Sequence, residues 1–313
     1  MIRPLITVVV CTFNRASLLR TCLQSLVEQS VDVSCYEVVV VDNNSTDSTP
    51  QVVKEFANRS QIFSGIVERR QGIAYSRNSG WRAARGEYVA YIDDDCKATS
   101  DWLAIAKSLT EDKRPILMGG PALPFYAAPK PFWFRDEYMQ FALAGDDVRP
   151  TQPNEYFPTM NTVFRRSALE GLGGFRNDLG MVGSEIAYGE DTEIMMRMRE
   201  KFPDAPIYYV PHLCVYHLAR PEKMTLRWMI PQSFAAGKYS SKIFRAQVLP
   251  KHELWRAGVR EVLYFCRDLC WSVFWRDRTR YPYWQNFFYE VVCRHLIKLG
   301  EIVEQLQRKL LSS

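Results

Sequence analysis

One stretch constrains the fold more than any other: at residues 88–95, five apolar residues run directly into three aspartates. The apolar run is rich in β-branched and aromatic residues, which predicts a buried strand. Three carboxylates at the end of one strand repel one another, so a cation or a cation-bearing ligand is their natural neutraliser. Such oxygen ligands suit Mg²⁺ or Mn²⁺ held jointly with a diphosphate. The alternative, a solvated acidic turn, is disfavoured because open α/β sheets bind ligands at the carboxyl ends of their strands.

Strand and helix patterns alternate through roughly the first 110 residues, which predicts parallel strands joined by right-handed crossovers in a doubly wound, Rossmann-like half. The dinucleotide motif GxGxxG does not follow the first strand, and the phosphate-loop motif GxxxxGK[ST] is absent from the sequence. A nucleotide would therefore be held by side chains at the strand ends and by a metal. The predicted strands are residues 5–12, 36–41, 62–67 and 88–92, and the predicted helices are residues 16–29, a segment that starts near Pro50, and residues 72–84, closed by Gly86.

Residues 120–158 break this alternation, because proline and aromatic residues are dense and no periodicity is clear. A segment of this length is more often a functional lid or an insertion than a connector. Regular patterns then resume as a short strand, a helix and a Gly-Gly turn at residues 159–175. A helix follows at residues 190–201, and its first turn carries three carboxylates, which suit a helix N-terminus.

The composition, with 47% hydrophobic and 24% charged residues, is that of an ordinary folded protein. The net charge of +5 is too small to imply a nucleic-acid partner. The eight cysteines show neither a CxxC pair nor metal-ligand spacing, which favours reduced thiols in a cytosolic protein. Neither a signal-peptide pattern nor a stretch of about 18 uncharged apolar residues is present, so we expect a cytoplasmic location without a membrane span.

The last third of the chain is basic, with 17 Lys and Arg against 8 Asp and Glu from residue 220 onward. Three helices are predicted there, at residues 225–236, 254–275 and 284–311. Basic, aromatic, amphipathic helices suit the surface of a membrane, here its cytoplasmic face. They equally suit packing against the catalytic domain or a second subunit. The central helix carries one apolar stripe: Val259, Val262, Leu263, Cys266, Leu269, Cys270 and Val273.

Three polar motifs follow predicted strands and a fourth opens a later helix, and in this order they together resemble the family 2 glycosyltransferases of the A-type (GT-A) fold. Residues 72–80 also resemble the family's GxxxARNxG segment, with Ser76 in place of the usual alanine, and residues 161–175 resemble its N…FRR…L…GGF stretch. Each motif alone is weak, but the ordered set is specific and spans residues 5–220. The four motifs are Thr12 with Asn14-Arg15, Asp42 with Asn43-Asn44-Ser45-Thr46-Asp47, Asp93-Asp94-Asp95, and Gly189-Glu190-Asp191.

The resemblance implies an α/β GT-A fold with a mainly parallel, Rossmann-like central sheet and a C-terminal amphipathic helical appendage. The catalytic domain would be residues 1–220, with a nucleotide-binding half at 1–115 and an acceptor-binding half at 116–220. The appendage would be residues 221–313.

The resemblance also assigns roles to individual residues. Asp42 matches the aspartate that hydrogen-bonds the nucleobase, and Thr12 matches a residue that lines the same pocket. Asp93 would lie on the ribose side, Asp95 would bind the metal that bridges the two phosphates, and Asp191 would be the catalytic base. Asp93 and Asp95 form the family's DxD motif. Asp94, between them, is at a position that varies in the family and receives no role.

Two further residues leave alternatives open. Arg77 is expected either to reach the diphosphate or to be a helix-surface arginine, solvated or paired with Glu87. His217 matches a family position near the metal or the diphosphate, but it is as well explained as a packing or surface histidine. The QxxRW motif of the family's processive synthases would fall at residues 224–228, where the glutamine is missing, so we expect addition of a single sugar.

The implied activity is inverting, metal-dependent transfer of one sugar from a nucleotide-diphospho-sugar, with UDP-sugars favoured, to an acceptor hydroxyl. The acceptor would be a saccharide or a lipid-linked saccharide in bacterial cell-surface polysaccharide or glycolipid assembly. A sugar-nucleotide nucleotidyltransferase is an alternative, but it should carry a Gly-rich basic loop after the first strand. A third possibility is a catalytically inactive nucleotide-sugar-binding or scaffold subunit, although all of the acidic motifs are present.

Overall fold

The computed structural model describes residues 3–183, 186–244 and 249–311. The chain divides into two compact units. The first unit comprises Met1–Phe125, Met139–Gly183 and Glu190–Leu218, and the second comprises Tyr126–Tyr138, Ser184–Gly189 and Ala219–Ser313. Part of the aperiodic segment at 120–158 therefore groups with the C-terminal helices.

The first unit is an α/β structure. Its strands are β1 (Ile6–Thr12), β2 (Tyr36–Asp42), β3 (Phe63–Val67), β4 (Tyr88–Ile92), β5 (Cys96–Ala98), β6 (Leu117–Gly119), β7 (Ala122–Phe125), β8 (Arg149–Pro150), β9 (Asn161–Arg165), β10 (Ile207–Tyr209) and β11 (Val215–Leu218). Its helices are α1 (Ala16–Val27), α2 (Thr49–Arg59), α3 (Ile73–Ala83), α4 (Trp102–Asp112), α5 (Arg166–Leu172) and α6 (Glu190–Lys201).

An eight-stranded sheet with the order β3-β2-β1-β4-β9-β6-β10-β8 forms the centre of this unit. Strands β1 to β4 pair in parallel, as the alternating pattern predicted. Strand β9 then enters antiparallel between β4 and β6. A smaller sheet with the order β5-β11-β7 completes the unit.

Both faces of the large sheet are covered, which explains why its strands are apolar without a break. Val8 and Val10 of β1 belong to one core cluster, which includes residues of α1, α2 and α4. Val9 and Cys11 belong to a second cluster, with residues of α3, α5 and α6. Successive side chains of a strand point to opposite faces, so helices on both faces bury every residue of β1.

The predicted role of Gly86 as the residue that closes α3 is wrong. The cap of α3 is Ala84, whose N–H donates to the carbonyl of Gly80. Gly86 lies where two backbones approach, because a Cβ atom at this position would be 2.6 Å from the backbone nitrogen of Thr7. The glycine is needed for this close approach to the sheet and not for a left-handed helix end.

The second unit contains the helices α7 (Leu226–Ile243), α8 (Lys251–Phe274), α9 (Trp284–Phe287) and α10 (Cys293–Leu311), with a π-helical turn at Phe288–Val292. Helix α10 packs against α7 and α8. A Cβ atom on Gly237 would be 1.9 Å from the carbonyl oxygen of Ile297, and one on Gly300 would be 2.2 Å from that of Phe234, so glycines let α7 and α10 approach closely. Within the described residues, no helix combines the length and the apolar character needed to span a bilayer.

Candidate active site

The sheet brings the predicted site residues to one edge. Thr12 and Asp42 end β1 and β2 and are paired in register. Asp93 directly follows β4, the next strand along. Because β9 runs antiparallel, its first residue, Asn161, lies opposite Ile92 at this same edge. Side chains far apart in the sequence therefore meet at the carboxyl ends of the parallel strands.

The loops after β1 and β2 are locked together by side-chain hydrogen bonds. Asn14 has a positive φ of 53°, and its Oδ1 accepts from the backbone nitrogen of Thr46 at 2.7 Å. Asp42 is buried, and its Oδ1 accepts from the backbone nitrogen of Ser45 at 2.9 Å. The asparagines and serine of these loops thus shape the strand ends that form the predicted nucleotide pocket.

The three aspartates after β4 occupy different environments. Asp93 is the most accessible, with 32% of its side chain exposed, whereas Asp94 and Asp95 are buried. Asp94 accepts hydrogen bonds from Thr12 Oγ1 and Arg15 Nη1, both at 2.8 Å. Burial raises the pKa of Asp94 to about 6, against the opposing effects of Arg15 and Thr12. Asp94, to which the family resemblance assigned no role, therefore joins the loop after β1 to the end of β4.

Asp95 and His217 meet in the first unit. Nε2 of His217 lies 3.5 Å from Oδ1 of Asp95, and both side chains are buried. The pairing of β11 with β5 places His217 opposite Cys96, the residue after Asp95. Arg15 Nη1 is 3.7 Å from the other carboxylate oxygen of Asp95. The role of Arg15 was missed in the sequence, although the residue belongs to the first of the four motifs.

Asp95 and His217 offer a carboxylate oxygen and an imidazole nitrogen 3.5 Å apart, and both kinds of group bind Mn²⁺. Neighbouring ligands of an octahedral ion at 2.0–2.1 Å lie about 3 Å apart, so the two side chains would approach each other by about half an ångström to share one ion. In the part of the chain that the structure describes, no group of three or more His, Cys, Asp or Glu side chains is arranged to hold a metal. An ion at this position would thus take its remaining ligands from substrate phosphates and water, which is the usual arrangement for Mg²⁺.

Arg77 joins the end of β4 to the start of α6. Its Nη1 donates to Oε1 of Glu190 at 2.7 Å and to Oδ1 of Asp191 at 2.9 Å, and its Nη2 lies 3.7 Å from Oδ1 of Asp93. The guanidinium is buried, so it is neither a solvated helix-surface group nor the partner of Glu87. The structure thus brings Asp93 and Asp191 around one cation.

Asp191 is oriented from two sides. Besides the bond from Arg77, its Oδ1 accepts from Oγ1 of Thr159 at 2.6 Å, and its Oδ2 accepts from the Thr159 backbone nitrogen at 3.1 Å. A quarter of the Asp191 side chain, 26%, is exposed, so solvent or a ligand can reach the carboxylate. Thr159 carried no signal in the sequence, because nothing in its local pattern relates it to a helix that begins 31 residues later.

Glu190 lies beside the Arg77 and Asp191 pair but is buried. Burial, and next the charge of Asp191, raises the pKa of Glu190 to about 8, although Arg77 opposes the shift. The backbone of Gly180 makes room for this carboxyl group, because a Cβ atom there would lie 2.9 Å from Glu190 Oε2. The two adjacent carboxyl groups of this motif therefore have different surroundings, one accessible and one enclosed.

Asn78, the residue after Arg77, anchors the Gly-Gly turn. Its Oδ1 accepts from the backbone nitrogen of Phe175 and its Nδ2 donates to the Phe175 carbonyl, both at 2.8 Å. Gly174 has a φ of 81°, and a Cβ atom on it would lie 2.1 Å from Asn78 Oδ1. The two sequence segments that resembled the family's motifs are thus in direct contact.

Comparison with known proteins identifies the family. The sequence model described as "Glycosyl transferase family 2" matches residues 7–173. Glucosyl-dolichyl phosphate glucuronosyltransferase of Haloferax volcanii is 25% identical over 247 residues, which is 76% of this chain and 76% of that protein. Succinoglycan biosynthesis protein ExoM of Rhizobium meliloti is 23% identical over 256 residues, 80% of this chain and 78% of that protein.

Two solved structures share the fold. Mannosyltransferase PcManGT from Pyrobaculum calidifontis, in complex with GDP-Man and Mn²⁺, aligns over 99% of this chain and 76% of its own with a TM-score of 0.57 and 20% identity. Residues 1–349 of S. aureus TarS, in complex with UDP-GlcNAc, align over 97% of this chain and 91% of that one with a TM-score of 0.57 and 18% identity. The predicted GT-A fold is confirmed, as is the prediction that this chain is a glycosyltransferase. The chain belongs to glycosyl transferase family 2.

Proposed function

We propose that this glycosyltransferase is inverting and metal-dependent, and that it moves one sugar from a nucleotide-diphospho-sugar to an acceptor hydroxyl. The observation that carries the proposal is the position of Arg77, which holds Asp191 at 2.9 Å and lies 3.7 Å from Asp93. A sugar donor bound along the strand ends, beside Asp93, would therefore present its reacting carbon near an accessible carboxylate.

Asp191 is the proposed general base. Among the described residues, its Oδ2 accepts one hydrogen bond, from the Thr159 backbone nitrogen at 3.1 Å, and a carboxylate oxygen has room for a second. The acceptor hydroxyl gives its proton to this oxygen while its own oxygen bonds to the anomeric carbon of the sugar. The bond from that carbon to the β-phosphate oxygen breaks, and its electron pair leaves with the nucleoside diphosphate. Attack opposite to the leaving group inverts the anomeric centre.

The proposed donor site comprises Thr12, Asp42, Arg77 and Asp93, with Asp95 and His217 holding Mg²⁺ or Mn²⁺. When bound, the cation would neutralise the charge that grows on the departing diphosphate. Support for Mn²⁺ comes from the PcManGT complex and from the proximity of a carboxylate, Asp95, to an imidazole, His217. Residues 1–115 would bind the nucleotide and residues 116–220 the acceptor.

The related proteins also guide the choice of substrates. A UDP-sugar is the proposed donor, since the TarS complex holds UDP-GlcNAc, and a guanosine donor is the first competitor to test, since PcManGT holds GDP-Man. The relative from Haloferax volcanii is named for a glucosyl-dolichyl phosphate, and ExoM for succinoglycan biosynthesis. We therefore propose a saccharide or lipid-linked saccharide acceptor in bacterial cell-surface assembly. Eight free thiols suit a cytoplasmic setting.

The proposal is tested in two steps. First, the melting temperature is measured with UDP, GDP and dTDP, each with and without Mn²⁺, because a ligand that binds only the folded state raises it. Second, transfer of labelled sugar from the matching donor is measured for Asp95→Asn and Asp191→Asn. Asp112→Asn, at the exposed end of α4, is the matched control.

We expect Asp95→Asn to lose the shift that depends on Mn²⁺. We expect Asp191→Asn to keep that shift while transfer falls about 10²- to 10⁴-fold. Proton NMR of the product should show the inverted anomeric configuration. Transfer at the control rate in both variants, or a product with retained configuration, would contradict the proposal.

A further inference from the structure

Helix α8 buries only part of its apolar surface. An amphipathic helix normally turns its apolar stripe towards its neighbour. The buried side of α8 carries the apolar residues Leu254 and Phe265, but it also carries polar groups. Glu261 Oε2 lies 2.9 Å from Nδ1 of His295 in α10, and Asp268 Oδ2 lies 3.0 Å from Nε2 of the same ring. Ser272, one turn further on, is completely buried. Two of the three carboxylates of α8 are thus engaged inside the second unit.

The apolar side chains of α8 face outward. Leu263 is 64% exposed, Phe274 is 70% exposed and Trp255 is 61% exposed. Successive residues of a helix are rotated by about 100° around its axis. In this projection a continuous set of exposed apolar side chains occupies an arc of about 140°, with Leu269 at one edge and Phe274 at the other. This arc contains all seven residues of the stripe predicted from the sequence, extended by Trp255 and Phe274, and the structure leaves it uncovered. Its members are Trp255, Val259, Val262, Leu263, Cys266, Leu269, Cys270, Val273 and Phe274, all of them exposed.

Arginines lie along one edge of this stripe. Arg256, Arg260 and Arg267 are exposed. Viewed down the helix axis with Leu254 at 0°, they lie at about 200° to 240°, next to Phe274. Arg267 is paired with Asp268, at 2.6 Å between Nε and Oδ1. Among the described residues, neither Arg256 nor Arg260 has a carboxylate within salt-bridge distance. The outer surface of α8 is therefore both apolar and basic.

We propose that α8 binds the surface of an anionic lipid bilayer, with its apolar stripe at the level of the headgroups and its arginines on the lipid phosphates. Such a surface offers an apolar layer that would cover the stripe and negative charge that would neutralise the arginines beside it. The Trp255 ring suits the boundary between the two layers, because it is large and apolar with one polar N–H.

Charge argues for lipid over a second copy of the chain. A second α8 would cover the stripe, but it would bring three exposed arginines and one exposed carboxylate, Glu253, since Glu261 and Asp268 are turned towards His295. One acidic group per helix does not neutralise Arg256 and Arg260 together, so such a pair would keep an excess of positive charge. The inference rests on the second unit alone and does not depend on the proposed transfer reaction.

The test uses the full chain and sedimentation with vesicles of phosphatidylcholine, alone or mixed equally with phosphatidylglycerol. Leu263→Glu and Phe274→Glu place a charge in the stripe. Arg256→Gln with Arg260→Gln removes the unpaired cations. Val33→Glu, at a site in the first unit that is 61% exposed, is the matched control. All altered side chains are exposed, and equal melting temperatures would show that the variants are folded.

We expect the parent and the Val33→Glu control to sediment with the mixed vesicles at low salt. Each stripe variant should bind about tenfold more weakly or worse, because burying one such side chain contributes about 1.5–3 kcal/mol. The double arginine variant should lose its preference for anionic lipid. Absence of binding by the parent, or equal binding by the stripe variants, would overturn the proposal. The proposal would also be overturned if the parent forms a dimer that Leu263→Glu abolishes and does not bind vesicles. The stripe would then be covered by a second copy of the chain.

Discussion

Arg77 and Asp191 form a direct ion pair, with Nη1 of the arginine 2.9 Å from Oδ1 of the aspartate. The two residues are 114 positions apart in the sequence, and the guanidinium is buried. The same Nη1 also donates to Glu190 at 2.7 Å. Two carboxyl groups at the start of α6 are therefore fixed relative to α3 by one buried cation, and this arrangement sets the position of the proposed base.

Replacing Arg77 should destabilise the fold strongly. Arg77→Met leaves Glu190 and Asp191 without their cation, and breaking a buried ion pair on one side costs about 3–5 kcal/mol. Arg82→Met is the control, since Arg82 is an exposed arginine of the same helix and its loss should cost less than about 0.5 kcal/mol. Urea unfolding measures both. Similar values for the two variants would mean that the cluster around Arg77 contributes little to stability.

Thr159 should act on the reaction through Asp191. Thr159→Val keeps the shape of the side chain but removes the hydroxyl that donates to Asp191 Oδ1 at 2.6 Å. A base held in the wrong orientation lowers the rate of the chemical step, so we expect kcat to fall about 10- to 100-fold. The KM for the donor should stay near that of the parent.

Steady-state transfer kinetics check this prediction. Thr110→Val is the control, because Thr110 is also buried and its hydroxyl donates within α4, to the carbonyl of Lys107. A change in KM alone, or an equal loss of kcat in the control, would count against a positioning role for Thr159.

Local patterns in the sequence were enough to predict most elements of the first unit. Helix α6 begins at Glu190 and ends at Lys201, as the pattern predicted, because acidic residues mark its first turn and helical spacing marks its length. The parallel strands were predicted because helices on both faces make them uniformly apolar. The edge at which the site residues meet followed from that topology.

Contacts between distant segments could not be predicted in this way. The local pattern around Arg77 is compatible with a residue on the surface of its helix. Its contact with Glu190 is formed only when the chain folds. Thr159 is likewise defined by its contact with α6. The stripe on α8 was predicted, but whether it faces a neighbour depends on which side of the helix carries the Glu261 and Asp268 bonds to His295. Periodicity alone does not contain that information.

Glu190 should make stability depend on pH. Its pKa in the folded protein is raised from 4.5 to about 8, mainly by burial. Between pH 4.5 and about 8, Glu190 therefore keeps its proton in the folded protein, whereas the same carboxyl group is ionised in the unfolded chain. The stabilisation from this group is fully present below pH 4.5 and is lost as the pH rises through about 8.

The variant Glu190→Gln keeps the shape of the side chain but cannot titrate. Between pH 5 and 8, the stability of the parent should fall relative to that of Glu190→Gln, by at most about 1.4 kcal/mol per pH unit. Urea unfolding at several pH values gives this difference directly, since every other titrating group is common to both proteins. A difference that does not change with pH would show that Glu190 is ionised throughout.

The two glycines of the Gly-Gly turn should respond differently to alanine. Both have a positive φ, 75° at Gly173 and 81° at Gly174, so a Cβ atom at either position costs about 1–2 kcal/mol of backbone strain. In the part of the chain that the structure describes, a Cβ atom on Gly173 would meet no atom of another segment within 4 Å, whereas one on Gly174 would lie 2.1 Å from Asn78 Oδ1. Relieving that clash must displace Asn78, whose amide holds both backbone groups of Phe175.

We therefore expect Gly174→Ala to be less stable than Gly173→Ala by about 1–3 kcal/mol, as for overpacking in a core. Urea unfolding of the two variants measures the difference, and equal losses would show that the Asn78 anchor yields without cost.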